Sequence, residues 1–598
     1  MKPLLLSVDL STGKIEKKEI EIEHIRKFIG GRGLGAYYLL KNLPPDTDPT
    51  GEKNIIYIMS GSLSGYPVPL SGRSQIVTKS PLTGAITSSN VGGNFAFELK
   101  MAGYHGIEIK GKLKKPGFLF IYDDMVKIIE DDYAFMLTSH DADLYLRKKT
   151  IEDATTMVIG PQGALKSRIS GLFVDGHRAA GRGGIGAVLG SKNLKGIVVK
   201  GTKLLDANNL QGFYEKTQDI LNQFKASPAK KTFSTYGTTG VLAIINGIGS
   251  LPFRNFHDAY CPHADKINHK AYNDKILIKN GACATCPLGC GRITMAEGKK
   301  GHGPEYEIVW AFGSSCSISN IEKIAILNYY ANQYGYDGIS LGGTIAALMD
   351  LYEAGIVKEK DIGFPVPFGD ADAAIKVVVE LMKTNRGIGE LLNQGSYRLC
   401  EYFGHPEFSM SVKKQELPAY DPRGIKGMGL AYATNTRGGD HTKAFTVTLE
   451  VYKAEDPNYR LMYEGKHEIV KYLQDYQSIV DSTGTCSFGR SVYNIEVYRD
   501  LMNLLYGFDY TDEELLKAGE RIWNIEKLFN LREGLMKEED TLPDRLFSEP
   551  IKSGPSKGEV YDKDQFNDLL LAYYKLRGWD RDGIPTLNKL KELDIDNE

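Results

Sequence analysis

Gly176-His177-Arg178-Ala179-Ala180-Gly181-Arg182-Gly183-Gly184-Ile185-Gly186 is the stretch on which the fold turns. Its second half satisfies G-x-G-x-x-G, the glycine pattern of a dinucleotide-binding βαβ unit, and it follows a plausible strand at 172–175. The downstream context is wrong for such a unit. Only about nine residues separate the glycines from the next β-like run at 196–200, too few for a crossover helix. No Asp or Glu lies about twenty residues further on, where Lys200 and Lys203 stand instead. The loop therefore reads as a backbone cradle for phosphate, with Arg178 and Arg182 alongside. Upstream, apolar runs at 4–10, 15–22, 55–59, 75–79, 106–109 and 118–122 alternate with Gly and Pro, as strands joined by turns do. Gly30-Gly31-Arg32-Gly33-Leu34-Gly35 follows a helical pattern instead and reads as a helix break. From about Asp206 apolar residues recur every three or four positions, at 209–224, 321–334, 343–353 and 374–383. Gly335 and Gly355 stand where helix-ending glycines belong. The expected class is α+β: a β-rich domain over 1–206, then largely helical domains over 207–412 and 413–598.

The chain of 598 residues is 42% hydrophobic and 25% charged, with a net charge of −2. Lys and Arg (73) balance Asp and Glu (75), so no overall field favours nucleic acid or an anionic membrane. The N-terminus offers no signal-peptide core, and no apolar stretch reaches the length of a bilayer span. A cytoplasmic location is expected. Sixty-five glycines exceed by about half the roughly 7% average usage, as tight turns or close backbone approach to a large cofactor would require. A G-x-x-x-x-G-K-S/T loop is absent, so phosphoryl transfer is unsupported.

Seven cysteines without an export signal argue for free thiols or metal ligands rather than disulfides. Cys283-Ala284-Thr285-Cys286-Pro287-Leu288-Gly289-Cys290 puts three thiols on one short loop. A 4Fe–4S cluster needs a fourth thiolate from elsewhere; a structural zinc site is the competing reading, although it normally pairs two short motifs and no second C-x-x-C exists. Cys261, Cys316, Cys400 and Cys486 are the candidates for the fourth ligand. Cys400 follows a helical pattern and suits a core, whereas Cys486 closes the turn-like Asp481-Ser482-Thr483-Gly484-Thr485-Cys486 and is preferred.

Taken together these segments resemble the aldehyde:ferredoxin oxidoreductase family of tungstoenzymes, almost end to end. The likeness is carried by Ser71-Gly72-Arg73, Thr78–Gly84, Ser89-Asn90-Val91-Gly92-Gly93, Gly176–Gly184, the cysteine loop, Gly303-Pro304-Glu305-Tyr306-Glu307, Leu417–Gly424 and Thr436-Arg437-Gly438-Gly439-Asp440-His441. The resemblance implies an N-terminal domain of two β-sheets forming the base for a tungsten bis-molybdopterin, covered by two mainly helical domains. It implies a Mg2+ bridging the pterin phosphates near Asn90 and Ala179, with Gly92, Gly93, Arg178, Gly181 and Arg182 in the same cradle. It makes Cys283, Cys286, Cys290 and Cys486 the 4Fe–4S ligands, and puts Arg73 between cluster and pterin. Two D-x-x-G-L-C/D pterin motifs are expected. One falls on Asp481–Cys486, with Thr485 in place of leucine, the other on Asn332–Asp337, where asparagine replaces the first aspartate and loses its charge. The family's E-x-x-H metal site between subunits has no counterpart in Ile326-Leu327-Asn328-Tyr329-Tyr330-Ala331, so a homodimer would form without that bridging metal.

For catalysis the resemblance makes Glu307 the general base and His441 the group that bonds the carbonyl oxygen, with Tyr306 lining the substrate pocket. Aldehyde is the expected substrate, and ferredoxin or a separate iron–sulfur subunit the acceptor. Lys299 and Lys300 are read as an acceptor-docking pair. Two other readings are an aromatic acyl-CoA reductase subunit on the same scaffold, disfavoured by Glu307 with His441, and a non-catalytic zinc protein.

Overall fold

The structure is a computed structural model describing residues 2–597. Its N-terminal part is a pair of six-stranded sheets. The first contains β1 (Leu4–Asp9), β2 (Lys14–Glu19), β3 (Ile56–Ser60), β4 (Ser74–Lys79), β5 (Ile86–Val91) and β6 (Gly106–Lys110), in the order β2-β1-β6-β3-β4-β5. The second contains β7 (Gly117–Tyr122), β8 (Met125–Glu130), β9 (Thr155–Ile159), β10 (Leu172–Val174), β11 (Arg178–Ala180) and β12 (Leu194–Lys200), in the order β11-β10-β9-β12-β7-β8. Period-two alternation explains why they pack face to face. Leu6, Val8, Ile56, Ile58, Ile107 and Ile109 point from the first sheet into one core with Leu119, Ile121, Met157, Ile159, Ile197 and Val199 from the second. Their neighbours Leu5, Tyr57, Met59 and Val77 point the other way, into the core beneath the C-terminal helices.

The strand at 15–22 stops at Glu19 because Ile22 opens a short helix, Ile22–Phe28. β5, β8, β9 and β11 have no counterpart in the sequence reading; β9 is buried along its whole length and so lacks the polar alternation that would reveal it. The glycine-rich segment after β11 leads into α2 (Ile185–Ser191), a single short helix, and β11 and β12 are not neighbours in the sheet. Among the described residues no nucleotide-binding crossover forms here. The earlier glycine run is the helix break expected of it: Ile29 and Gly30 leave one helix before α1 (Gly31–Asn42) begins. Close approach requires glycine there, since a Cβ on Gly31 would lie 2.6 Å from the carbonyl oxygen of Asp481.

The remainder is mainly helical. It includes α3 (Pro228–Tyr236), α4 (Tyr306–Phe312), α5 (Ile321–Tyr334), α6 (Gly338–Glu353), α7 (Lys466–Thr483) and α8 (Asp512–Arg532). Gly335 ends α5 in the left-handed conformation, as its position in sequence suggested. The helix at 374–383 is Ala371–Lys376 continued by a π-helical turn, Val377–Met382. A three-stranded antiparallel sheet within the 207–412 stretch is a departure from the helical expectation. Its strands β13 (Leu277–Gly281), β14 (Gly291–Ala296) and β15 (Lys299–His302) hold the cysteine loop between β13 and β14 as the connection of a hairpin. α7 and α8 pack on each other and on α1. There the buried Arg32 makes paired 2.7 Å hydrogen bonds to Glu526 and a 3.4 Å contact to Asp481.

Candidate active site

The site lies where the two sheets meet, because β5 and β11 are adjacent terminal strands. The turn before β4 presents Arg73, whose guanidinium donates to Asn90 Oδ1 (2.9 Å) and to Cys486 Sγ (2.9 Å). Burial opposes the Arg73 charge, but Cys486, Cys283 and Cys290 raise its pKa well above the ordinary range. Asn90 in turn donates to Asp481 Oδ1 (3.3 Å), at the C-terminal end of α7.

The cysteine loop leans on the same edge. Ala284 N–H donates to Gly93 O (3.2 Å), Ser71 N–H to Thr285 Oγ1 (3.2 Å) and Leu70 N–H to Thr285 O (3.2 Å). A Cβ on Gly92 would stand 2.6 Å from Cys283 Sγ, so only glycine lets the thiol approach. A Gly92→Ala variant is therefore expected to displace Cys283 and raise the reactivity of its thiol toward an alkylating reagent, with little change in unfolding temperature; a thiol-labelling rate beside a thermal melt checks this. Cys283, Cys286, Cys290 and Cys486 are the four partly accessible cysteines, whereas Cys261, Cys316 and Cys400 are buried in the apolar core. The Cys290 thiol is pushed up by burial first, then by Glu305, Cys486, Cys283 and Cys286, so the four sulfurs share one neighbourhood. Among the described residues no three His, Cys, Asp or Glu side chains converge on a single-ion point.

Above the sheets, Glu307 sits in the first turn of α4. Its Oε2 accepts from Ala419 N–H (3.0 Å), and its Oε1 faces His441 Nε2 at 3.4 Å without completing a hydrogen bond. Burial raises its pKa, against the lowering effect of His441. The carboxylate is deep-set yet keeps 13% of its side-chain surface, and His441 keeps 18%, so neither side chain is fully packed. His441 Nδ1 also lacks a partner. Tyr420 (ring centroids 5.6 Å away) and Phe445 (6.2 Å) flank the imidazole. Tyr306 is buried and donates to Ala419 O (2.8 Å), so it holds the segment that holds Glu307.

The remaining expected residues divide into those that face the interior and those that brace it. Arg178, Ala179 and Asn90 keep accessible surface; Gly92 and Gly93 are buried behind them. Arg182 braces. It donates to Asp337 Oδ2 (3.1 Å), Gly439 O (2.8 Å) and Glu416 O (2.8 Å), while Asp337 caps α6 and a Cβ on Gly181 would lie 3.1 Å from Asp337 Oδ1. Removing one partner of such a buried pair costs about 3–5 kcal/mol, so Arg182→Met should lower the urea midpoint clearly, before any effect on activity is considered. Asn332 does not join this group; its amide donates to His302 O (3.1 Å). The Thr485 hydroxyl is spent on Tyr498 (2.7 Å). Lys443 was not singled out by the sequence, yet it is buried and donates to Asp481 Oδ2 (2.6 Å). Its only signal is its place two residues after His441. Gln75, paired with Asn90 across β4 and β5, is buried with both amide atoms unpartnered. Unpartnered polar atoms at this sheet edge are what a large hydrogen-bonding cofactor would complete.

A thiol joined through the Arg73 guanidinium to a hydrogen-bonding sheet edge, in a chain that also carries a carboxylate–imidazole pair, is the layout of an electron-transferring oxidoreductase rather than a structural metal knuckle. The profile "Aldehyde ferredoxin oxidoreductase, N-terminal domain" matches residues 5–201, and "Aldehyde ferredoxin oxidoreductase, domains 2 & 3" matches 215–595. The chain belongs to the aldehyde ferredoxin oxidoreductase family. It is 41% identical to the tungsten-containing aldehyde ferredoxin oxidoreductase of Pyrococcus furiosus, over 99% of this chain and 98% of that protein. It is 30% identical to the WOR-like subunit of aliphatic sulfonate oxidoreductase from the same organism, over 99% and 96%. The BamBC active-site complex of benzoyl coenzyme A reductase contains a chain of the same fold, with a TM-score of 0.86 at 22% identity, covering 100% of this chain and 98% of that one.

Proposed function

We propose that this protein oxidises aldehydes to carboxylic acids and passes the electrons, one at a time, to ferredoxin or a partner iron–sulfur subunit. The observation that carries the reading is the buried Glu307 carboxylate, one oxygen pinned by Ala419 N–H and the other unpartnered opposite His441. Aldehyde and water give the acid, two protons and two electrons. A tungsten bis-pterin with Mg2+, held against Arg73, Asn90, Gly92, Gly93, Arg178 and Ala179, with Asp337 and Asp481 bracing that cradle through Arg182, Lys443 and Asn90, would supply the two-electron centre when bound. A 4Fe–4S cluster on Cys283, Cys286, Cys290 and Cys486 would supply the single-electron exit.

Glu307 Oε1 takes a proton from water or from the aldehyde hydrate, and its raised pKa brings it nearer the pH at which a base works best. His441 Nε2 donates to the carbonyl oxygen and so favours attack at the carbonyl carbon. Tyr420 and Phe445 keep that side of the space apolar, which suits aldehydes with hydrocarbon or aromatic side chains. The domain division at 206 and 412, and self-association without a bridging metal on α5, belong to the same reading. Elemental analysis of anaerobically purified protein tests it. About one tungsten and about four irons per chain, with aldehyde-dependent viologen reduction, are expected. Zinc alone, without pterin, would overturn it.

A further inference from the structure

We propose that the surface formed by α3, β13 and the tip of the cysteine loop is the docking site for an acidic, one-electron iron–sulfur protein. The inference rests on the cluster reading above but concerns a different part of the chain. Residues 225–300 carry eleven Lys and Arg against four Asp and Glu, in a protein whose overall balance is 73 to 75. The excess is local to the segment that holds three cluster thiols.

Geometry brings part of that charge to the thiols. α3 has no buried residue along its length, so it is a surface helix with an open face. Two side chains clamp it to the cysteine hairpin. Arg292 donates to Phe233 O (2.8 Å) on α3 and to Gly289 O (3.1 Å), the residue before Cys290, and Asn280 donates to Ser234 O (2.6 Å). Lys230 and Lys231 lie on this helix and Lys279 on β13, and among the described residues none of the three forms an ion pair, so their charge is uncommitted. Phe233 stacks on Phe488 (centroids 4.6 Å apart), and both border the core at which Cys286 and Cys486 also lie. Ile278 on β13, 47% exposed, adds apolar surface to the same strand. A partner seated here would meet an apolar centre rimmed by cations, beside partly accessible thiols. An acidic redox protein is the matching surface.

The same geometry relocates the docking charge from Lys299 and Lys300. Lys279 pairs with Ile293, three residues beyond Cys290 or about 10 Å along the strand at ~3.3 Å per residue. Lys300 pairs with Met295, toward the far end of the hairpin, and the Lys299 ammonium lies over the rings of Tyr329 (5.4 Å) and Tyr330 (5.5 Å).

The test uses the cofactor-loaded enzyme, an acidic ferredoxin and methyl viologen. For K230E/K231E/K279E the KM for ferredoxin should rise by about tenfold or more, with its salt dependence largely lost, while viologen reduction stays within about twofold of wild type. K299E/K300E should leave ferredoxin kinetics unchanged. Binding of oxidised ferredoxin, measured by calorimetry without aldehyde, should weaken in parallel in the triple variant. Unchanged ferredoxin KM and affinity would overturn the docking site. Failure of the functional reading would show differently: wild type would reduce neither acceptor with aldehyde, while the binding comparison would still decide the surface.

Discussion

Glu307→Gln should lower kcat/KM for aldehydes by about 10²–10⁴-fold while metal and pterin contents stay at wild-type levels. The amide keeps the size and the acceptor for Ala419 N–H but cannot take a proton, so binding and folding should survive while proton removal does not. The pH profile gives a second signature. Burial raises the Glu307 pKa, so the protonated, inactive form persists to higher pH than for an ordinary carboxylate. In wild type kcat/KM should therefore climb with rising pH through that raised pKa, and the variant should lack this acid limb. A variant with wild-type turnover and the same acid limb would assign the proton to another group. His441, 3.4 Å away, would be the first to examine.

Cys486→Ser should abolish aldehyde-dependent viologen reduction and strip the protein of most of its iron. The Cys486 sulfur is the one that accepts from Arg73, so its loss severs the short connection between the sheet edge and the thiol group. Iron content and the low-temperature electron paramagnetic resonance spectrum of the dithionite-reduced protein read this directly. Cys316→Ser is the control. Its thiol is fully buried among apolar residues and packs against Ala311 O and Gly342 O, so the substitution should cost stability and leave the iron in place. Iron loss in the control with retention in Cys486→Ser would reverse the ligand assignment.

The sheets were legible where strands alternate and turns are marked by glycine. Leu4–Asp9 and Lys14–Glu19 pair as the turn at Gly13 suggests, because a hairpin is specified by neighbouring residues. The helices at 209–224 and 321–334 were legible for the same reason: an amphipathic stripe is written within a few turns of chain. β9 was not, since burial on both faces removes the polar half of the pattern. The three-stranded sheet β13–β15 was hidden behind glycines, lysines and the cysteine loop, and only Leu277 and Ala296 of its strands pack into the apolar core.

The same division runs through the site. By itself the sequence determined the three clustered thiols, the preference for Cys486, the absence of a nucleotide crossover and the family motifs that single out Glu307 and His441. Each is a property of residue types within a few positions of one another. Tertiary structure alone decided that Arg73 reaches a sulfur 413 positions away, that Lys443 neutralises Asp481, that Tyr306 braces the Glu307 segment, and that Asn332 turns to His302. It also decided that Arg292 and Asn280 tie α3 to the hairpin that carries the cysteine loop. Those contacts depend on how the two sheets and the helices that cover them pack together. Packing of distant segments is set by the summed burial of many side chains, which no short window of sequence contains.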